Sequence, residues 1–152
     1  MGRLAKFWSL TRREKEFLCE ASILLSLCNI WVKAIPFRHI EKLLRTRWNH
    51  TQSAIDYEQE SRLVHRSVSR AANVLPWKSW CLTQSIAEFI MLRRRGIPAV
   101  IFAGVRLSGD TALDAHAWVR IGLEVNDKST ENSGFVTVIR IGSLTNDRAR
   151  AN

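Results

Sequence analysis

The second half of the chain carries a cysteine and a histidine in positions that suit acyl-transfer chemistry. Catalysis by cysteine needs a thiol that can form a thiolate, an imidazole that holds the proton and a third polar group that orients the imidazole. Cys81 lies in the first turn of a predicted helix, and His116 lies on a predicted strand. Unpaired N–H groups at the start of a helix favour a thiolate and can stabilise an oxyanion. Cys81 and His116 are therefore the candidate catalytic residues.

The pattern that follows Cys81 favours an active thiol. The residues three, four and seven positions later are polar: Gln84, Ser85 and Glu88. Cys81 therefore heads a polar stripe along its helix. A free cysteine is nevertheless most often a small buried hydrophobic residue, and a strand histidine is most often bonded to a backbone carbonyl. Spacing alone leaves these structural alternatives open.

The other two cysteines have the pattern of core residues. Cys19 and Cys28 lie nine positions apart on an apolar helix, which places them on roughly opposite faces and too far apart for a disulfide. Three cysteines are an odd number without the paired spacings of a metal site or a disulfide framework. The chemistry expected of Cys81 and His116 requires no metal or cofactor. This cysteine usage favours a reducing, cytoplasmic setting.

The first half of the chain is predicted to be helical. Thr11-Arg12-Arg13-Glu14 has the spacing of a capping box, which satisfies orphan N–H groups at a helix start. Pro36 breaks the first helix, and Pro76 follows the last of the three. The predicted helices span 11–34, 37–47 and 53–75, with a loop over 49–53.

The second half begins with a helix and continues as strands. Gly96 suits the left-handed position after a helix end, and Pro98 follows it. Residues 115–121 alternate, with alanines and β-branched residues on one face and His116, Trp118 and Arg120 on the other. The predicted elements are a helix over 80–95 and strands over 99–107, 115–121, 123–126 and 135–141. Helices first and an antiparallel sheet later indicate an α+β fold, in which strand 99–107 is central.

Length and composition indicate one folded domain. A chain of 152 residues with 46% hydrophobic residues can bury a core without disulfides or metal, and global disorder is excluded. Polar residues over 11–16 leave no room for an export signal. The most apolar run, Ala21–Val32, is about 12 residues long, which is short for a bilayer span. We expect a buried core helix there and no stable membrane span; association with a membrane surface is the alternative.

The chain is strongly basic. Lys and Arg number 23 against 14 Asp and Glu, giving a net charge of +9, so the surface attracts anionic partners. Basic residues cluster over 12–15, 38–47 and 93–95. Such clusters are usually solvated helix faces, and a cluster at a helix end complements the helix dipole. Aromatic residues do not interleave with these clusters as in RNA-binding motifs, so no nucleic-acid partner is expected.

Four sequence blocks together resemble the transglutaminase-like leader peptidase of lasso-peptide biosynthesis. They are Cys81-Leu82-Thr83-Gln84-Ser85, Leu92-Arg93-Arg94-Arg95-Gly96-Ile97-Pro98-Ala99, Gly104-Val105-Arg106 and Ala115-His116-Ala117-Trp118-Val119. The matching region spans roughly Pro76 to Asp127. The first helix and Ile35-Pro36-Phe37-Arg38 are similar to the N-terminal helices of that family. The resemblance implies a papain/transglutaminase-like fold and one peptidase domain over 1–152, with a helical part (1–75), a catalytic helix and sheet (76–141) and a polar tail (142–152).

The resemblance also implies roles for individual residues. Cys81 is expected to be the nucleophile and His116 the general acid and base. Asp127, on the next strand, is expected to complete the triad, while Asn126 and Asp114 are the alternatives for orienting the imidazole. Gln84 and Trp77 are expected to line the substrate or oxyanion site, although helix capping and packing would also explain them.

The implied activity is that of a bacterial, cytoplasmic cysteine peptidase. In the resembled family the bond cut joins the leader and core of a ribosomally made precursor peptide. The expected partners are this precursor (leader) peptide, a separate leader-recognition protein, because the chain is too short to hold that domain, and an ATP-dependent lasso cyclase. Two alternatives remain: a transglutaminase-like acyltransferase or amidase that uses the same Cys81, His116 and Asp127, and a non-catalytic basic binding module.

Overall fold

A computed structural model describes residues 9–45, 57–77, 80–109, 112–121, 124–125 and 134–142. Within these ranges four helices precede four strands, which confirms the predicted α+β class. The helices are α1 (Arg12–Ala34), α2 (Phe37–Leu44), α3 (Tyr57–Val74) and α4 (Cys81–Arg94), and the strands are β1 (Val100–Ser108), β2 (Ala112–Ile121), β3 (Glu124–Val125) and β4 (Val136–Gly142).

The first helix begins at the predicted capping box. The hydroxyl of Thr11 accepts a hydrogen bond from the Glu14 N–H at 3.2 Å, and the Thr11 N–H donates to the Glu14 carboxylate at 2.9 Å. The Thr11 hydroxyl also donates to the Glu14 carboxylate at 3.0 Å. The backbone donor and then the hydroxyl donor of Thr11 hold the pKa of Glu14 below its usual value, helped by the nearby Arg70. The helix ends before Pro36, where Ile35 is extended at φ −120° and ψ 132°.

Only one side of α1 is buried. Residues spaced at three and four positions pack against α3 and α4: Phe17, Ala21, Leu25 and Cys28. Ile23, Leu27 and Ile30 are exposed on the other side. The apolar run expected to be too short for a bilayer lies within this longer helix, which meets the length and composition of a membrane span. A core helix of a soluble protein and an N-terminal signal sequence meet that test equally.

Helix α4 is the central element of the core. Every residue from Ser85 to Arg93 is buried, because α1 and α3 pack on one side of the helix and the sheet on the other. The helix ends as predicted at Gly96, whose φ is 74°. The N–H of Ile97 donates to Leu92 and that of Gly96 to Arg93, both at 3.0 Å, as in a Schellman motif.

The strands form one antiparallel sheet in the order β3-β2-β1-β4, with β1 central as predicted. Ile101, Val119 and Ile141 are buried on the sheet face that joins the helical core. The register places Phe102, Gly104 and Arg106 on the other face, where they pair with Trp118, His116 and Asp114 of β2. A β-bulge interrupts the pairing of β1 with β4 between Ala103 and Gly104.

Two details differ from the sequence-based expectations. Strand β2 begins at Ala112, three residues before the predicted start, because β1 and β2 stay paired up to Ser108↔Ala112. The 93–95 cluster is not a solvated face: Arg93 is buried, and Arg95 binds Glu20 at 2.5 Å. The loop predicted over 49–53, the start of the third helix and the polar tail beyond residue 142 lie outside the described residues.

Candidate active site

Cys81 is the first residue of α4, as predicted. Trp80 precedes it with φ −73° and ψ 151°, and the Trp80 side chain makes no capping hydrogen bond. The first N–H groups of the helix are therefore not occupied by an N-cap side chain, which suits stabilisation of an oxyanion. Cys81 is partly exposed, so the thiol is within reach of a substrate.

The start of α4 lies against the strand that carries His116. The Sγ atom of Cys81 is 4.0 Å from the carbonyl oxygen of Ala115, the residue immediately before His116. A thiol is a weak donor, so this contact contributes little energy. Its value is positional, because it places Cys81 beside the backbone of the residue that precedes His116 in the chain.

The imidazole of His116 is surrounded by aromatic rings. It stacks on Trp118 at a centroid distance of 6.2 Å and contacts Phe135 at 5.7 Å. Trp118 is only 9% exposed. The His116 face of the sheet is therefore more apolar and more covered than the alternation in β2 predicts. Rings packed against an imidazole restrict its orientation, which a general base requires.

Gly104 makes this arrangement of rings possible. It pairs with His116 across the β1–β2 ladder. A Cβ atom at Gly104 would lie 2.8 Å from the backbone oxygen of Val136 and 3.1 Å from the Trp118 ring. Only glycine permits this approach of β4 to β1 next to His116.

The third member of the catalytic set stays a prediction. Asp127 and Asn126 lie outside the described residues. Asp114 lies on the face of His116, as expected, and its carboxylate binds Arg106 at 2.9 Å. Because this carboxylate already has a cationic partner, Asp114 is the less suitable of the alternatives for orienting His116.

The two residues predicted to line the site differ in position. Gln84 lies one turn along α4 from Cys81 and is half-buried. Trp77 is 37% exposed and precedes α4. The polar stripe headed by Cys81 continues inward to Glu88, which is buried and lies 3.3 Å from Nδ1 of His65 on α3. The stripe thus links the start of α4 to the helical layer.

The three thiols have distinct environments. Cys19 is exposed, Cys28 is buried and Cys81 is intermediate. Burial raises the pKa of Cys28 to about 11. Cys28 is thus an inert core residue, as predicted, whereas the exposure of Cys19 contradicts the core role expected for it. Cys19 is exposed because α1 has no neighbour on that side among the described residues.

Sequence reasoning missed a layer of arginines and aromatic rings on the His116 face. The guanidinium of Arg106 lies 4.6 Å from the centroid of the Phe135 ring. Those of Arg120 and Arg140 lie 5.6 and 6.0 Å from the centroid of Phe102. The signal in the sequence is the same two-residue alternation that placed His116, applied to Phe102 and Arg106 on β1 and to Arg120 on β2.

The described residues contain no group of three His, Cys, Asp or Glu side chains that could hold a metal ion.

The family model of the transglutaminase-like superfamily matches residues 24–140, which include both Cys81 and His116. Members of that superfamily are generally cysteine-protease-like enzymes. No curated protein and no solved structure matches the chain. Because the family model covers most of its length, the chain belongs to the transglutaminase-like superfamily.

Proposed function

We propose that this protein is a cysteine peptidase that removes the leader from a ribosomally made lasso-peptide precursor. The observation that supports it most is the 4.0 Å approach of the Cys81 thiol to the residue preceding His116. A thiol at a helix start beside a histidine-bearing strand suits acyl transfer. The lasso-peptide substrate is inferred from the sequence blocks around Cys81, Gly96, Gly104 and His116.

The proposed reaction has two steps. His116 takes the proton of the Cys81 thiol, and the thiolate sulfur attacks the carbonyl carbon of the leader–core peptide bond. N–H groups at the start of α4 stabilise the resulting oxyanion. The C–N bond then breaks, His116 gives its proton to the leaving amine of the core, and the leader remains as a thioester. Water, deprotonated by His116, attacks the thioester and releases the leader acid and the free thiol.

The proposed partners are those that the resemblance to the lasso-peptide leader peptidases implies. The precursor peptide is the substrate, and a separate leader-recognition protein presents it. The released core carries a free α-amine, which an ATP-dependent lasso cyclase would join to a side-chain carboxylate. We place all of these proteins in the cytoplasm, where the free thiols stay reduced.

The test is cleavage of a precursor peptide encoded beside this gene, with its leader-recognition protein present, followed by mass spectrometry. Cys81→Ala and His116→Ala are each expected to lower the cleavage rate by at least about 1,000-fold, because both side chains take part in bond breaking. Cys19→Ala removes an exposed thiol and is the matched control, expected to cleave at the wild-type rate. Circular dichroism verifies folding of all three variants. Cleavage by the Cys81→Ala protein at an undiminished rate would exclude the proposed nucleophile.

An acyltransferase is the second candidate, because the superfamily match itself does not distinguish water from an amine as acceptor. The two differ in product mass. Hydrolysis leaves a leader acid, whereas acyl transfer to an added primary amine leaves an amide. Formation of the amide in preference to the acid, at millimolar amine, would favour the acyltransferase over the peptidase.

A further inference from the structure

Two arginines on the His116 face of the sheet share one aromatic ring. Arg120 of β2 and Arg140 of β4 place their guanidinium carbons 5.6 and 6.0 Å from the centroid of Phe102 on β1. The strand register puts the three side chains on one face, since Phe102 pairs with Arg140 and Val100 with Arg120. We refer to Phe102, Arg120 and Arg140 as the arginine clamp.

The clamp has no negative charge of its own in the part of the chain that the structure describes. Arg106, on the same face, binds the Asp114 carboxylate at 2.9 Å. No carboxylate of the described residues lies within 4.0 Å of Arg120 or Arg140, and the buried Nε of Arg120 has no hydrogen-bond acceptor there. Two cations that flank one ring without an anion form a site of positive potential, which attracts a carboxylate.

The clamp is connected to the proposed active site by stacked rings. The His116 ring lies 6.2 Å from that of Trp118, which lies 5.9 Å from that of Phe102. Arg120 stands four residues after His116 on the same face of β2, which corresponds to about 13 Å along an extended strand. A peptide that crosses this face in an extended conformation therefore spans the distance with about four of its own residues.

We propose that the arginine clamp binds an Asp or Glu side chain of the peptide substrate about four residues from the scissile bond. This inference rests on the proposed peptidase function and adds a substrate preference to it. A bidentate guanidinium–carboxylate contact is directional as well as strong, so the clamp would set the register of the peptide relative to Cys81.

A peptide carboxylate explains the clamp better than a nucleic acid does. Bases bind by stacking on exposed aromatic rings. Here the Phe102 ring is already flanked by the guanidiniums of Arg120 and Arg140, and Trp118 is only 9% exposed. Arg140 is exposed, so its guanidinium is available to a carboxylate.

The binding test uses the full-length Cys81→Ala protein, which cannot consume the probe. The probes are two fluorescein-labelled 12-residue peptides, one with a central Glu-Glu pair and the other with a central Gln-Gln pair. Their other residues are the same Ala, Ser and Gly residues. The Glu peptide is expected to bind at least tenfold more tightly by fluorescence anisotropy. Arg120→Gln with Arg140→Gln removes that preference. Arg12→Gln with Arg62→Gln is the matched control, since both arginines are exposed on helices and the change in charge is identical.

Three outcomes would overturn the proposal: equal binding of the two peptides, the same loss in both double variants, or binding of a 12-nucleotide single-stranded RNA in preference to the Glu peptide. The first removes the acidic preference. The second outcome would attribute the acidic preference to the net charge of +9 and not to the clamp. The third would show that the His116 face of the sheet binds nucleic acid in preference to an acidic peptide.

A cleavage assay separates this inference from the proposed function. The wild-type enzyme is assayed with precursor variants that each carry one Glu, placed two to eight residues from the scissile bond, and their cleavage rates are compared. Cleavage is expected to peak when the Glu is about four residues away, and the Arg120→Gln, Arg140→Gln protein loses the peak. If no precursor is cleaved but the Glu peptide still binds at the clamp, the peptidase function fails while the clamp stands. If cleavage ignores the position of the Glu, the clamp fails while the peptidase stands.

Discussion

Replacing Gly104 with alanine tests whether the packing around His116 determines activity. The new Cβ would lie 2.8 Å from the backbone oxygen of Val136 and 3.1 Å from the Trp118 ring. Relief to an ordinary van der Waals separation requires a shift of about 0.5 Å. Because the closest atom is backbone, β4 must move, and it carries with it Phe135, whose ring contacts His116 at 5.7 Å.

The size of the effect follows from this displacement. Overpacking of this kind costs about 1–3 kcal/mol, and loss of glycine flexibility in the unfolded chain returns about 0.4–1 kcal/mol. We therefore expect the free energy of unfolding to fall by about 1–2 kcal/mol. A misplacement of 1 Å near reacting groups costs about 100-fold in rate, so a shift of half that size is expected to lower kcat/KM by about tenfold.

The assay combines urea unfolding with kcat/KM for cleavage of the precursor. Gly109→Ala is the control, because Gly109 has a φ of 68° but no atom within 4 Å of its would-be Cβ. It should lose about 1–2 kcal/mol through backbone strain at the tip of the β1–β2 hairpin, without a change in kcat/KM. Wild-type kcat/KM in the Gly104→Ala protein, or an equal loss in both variants, would refute a positioning effect at His116.

Two further predictions concern stability. Thr11→Ala removes the hydroxyl that accepts from Glu14 N–H, and the free energy of unfolding in urea is expected to fall by about 1 kcal/mol. In the same variant the hydroxyl no longer donates to the Glu14 carboxylate, while the backbone N–H of position 11 still does. The pKa of Glu14, followed by NMR, should therefore rise part of the way to its ordinary value; an unchanged pKa would contradict the role of the Thr11 hydroxyl. Burial raises the pKa of Cys28 from 9.0 to about 11, so the neutral thiol is favoured in the folded protein. The resulting contribution to the free energy of unfolding is fully present below pH 9 and is lost as the pH rises towards 11. Between pH 8 and pH 10.5 the free energy of unfolding of the wild-type protein should therefore fall by about 2 kcal/mol more than that of Cys28→Ala. If the two proteins show the same dependence of unfolding free energy on pH, ionisation of Cys28 is excluded as the cause.

Local signals in the sequence predicted the parts of the fold that local chemistry determines. The capping box at Thr11 and the left-handed Gly96 depend on residues within one helical turn, and both ends lie where predicted. The start of α4 at Cys81 lies one residue after the predicted start, and no side-chain cap marks it. The face of His116 follows from alternation along one strand.

Long-range contacts account for what the sequence did not predict. Leu107 and Leu113 are paired and exposed at the hairpin tip, so nothing in their pattern marks the extra length of β2. The arginine clamp needs the registers of three strands, which no single window contains. The 93–95 cluster has the pattern of a solvated face when one helix is considered alone, but Arg95 binds carboxylates of two other helices.

Those partners also connect the first half of the chain to the proposed catalytic residues, which lie in the second half. Arg95, at the end of α4, binds Glu20 of α1 at 2.5 Å, lies 3.8 Å from the buried Glu60 of α3, and stacks 4.1 Å from the Phe17 ring centroid. Helix α4 is a rigid element about 21 Å long. Fixing its far end against α1 and α3 therefore determines where Cys81 meets β2. The N-terminal helices thereby hold the position of Cys81, the proposed nucleophile.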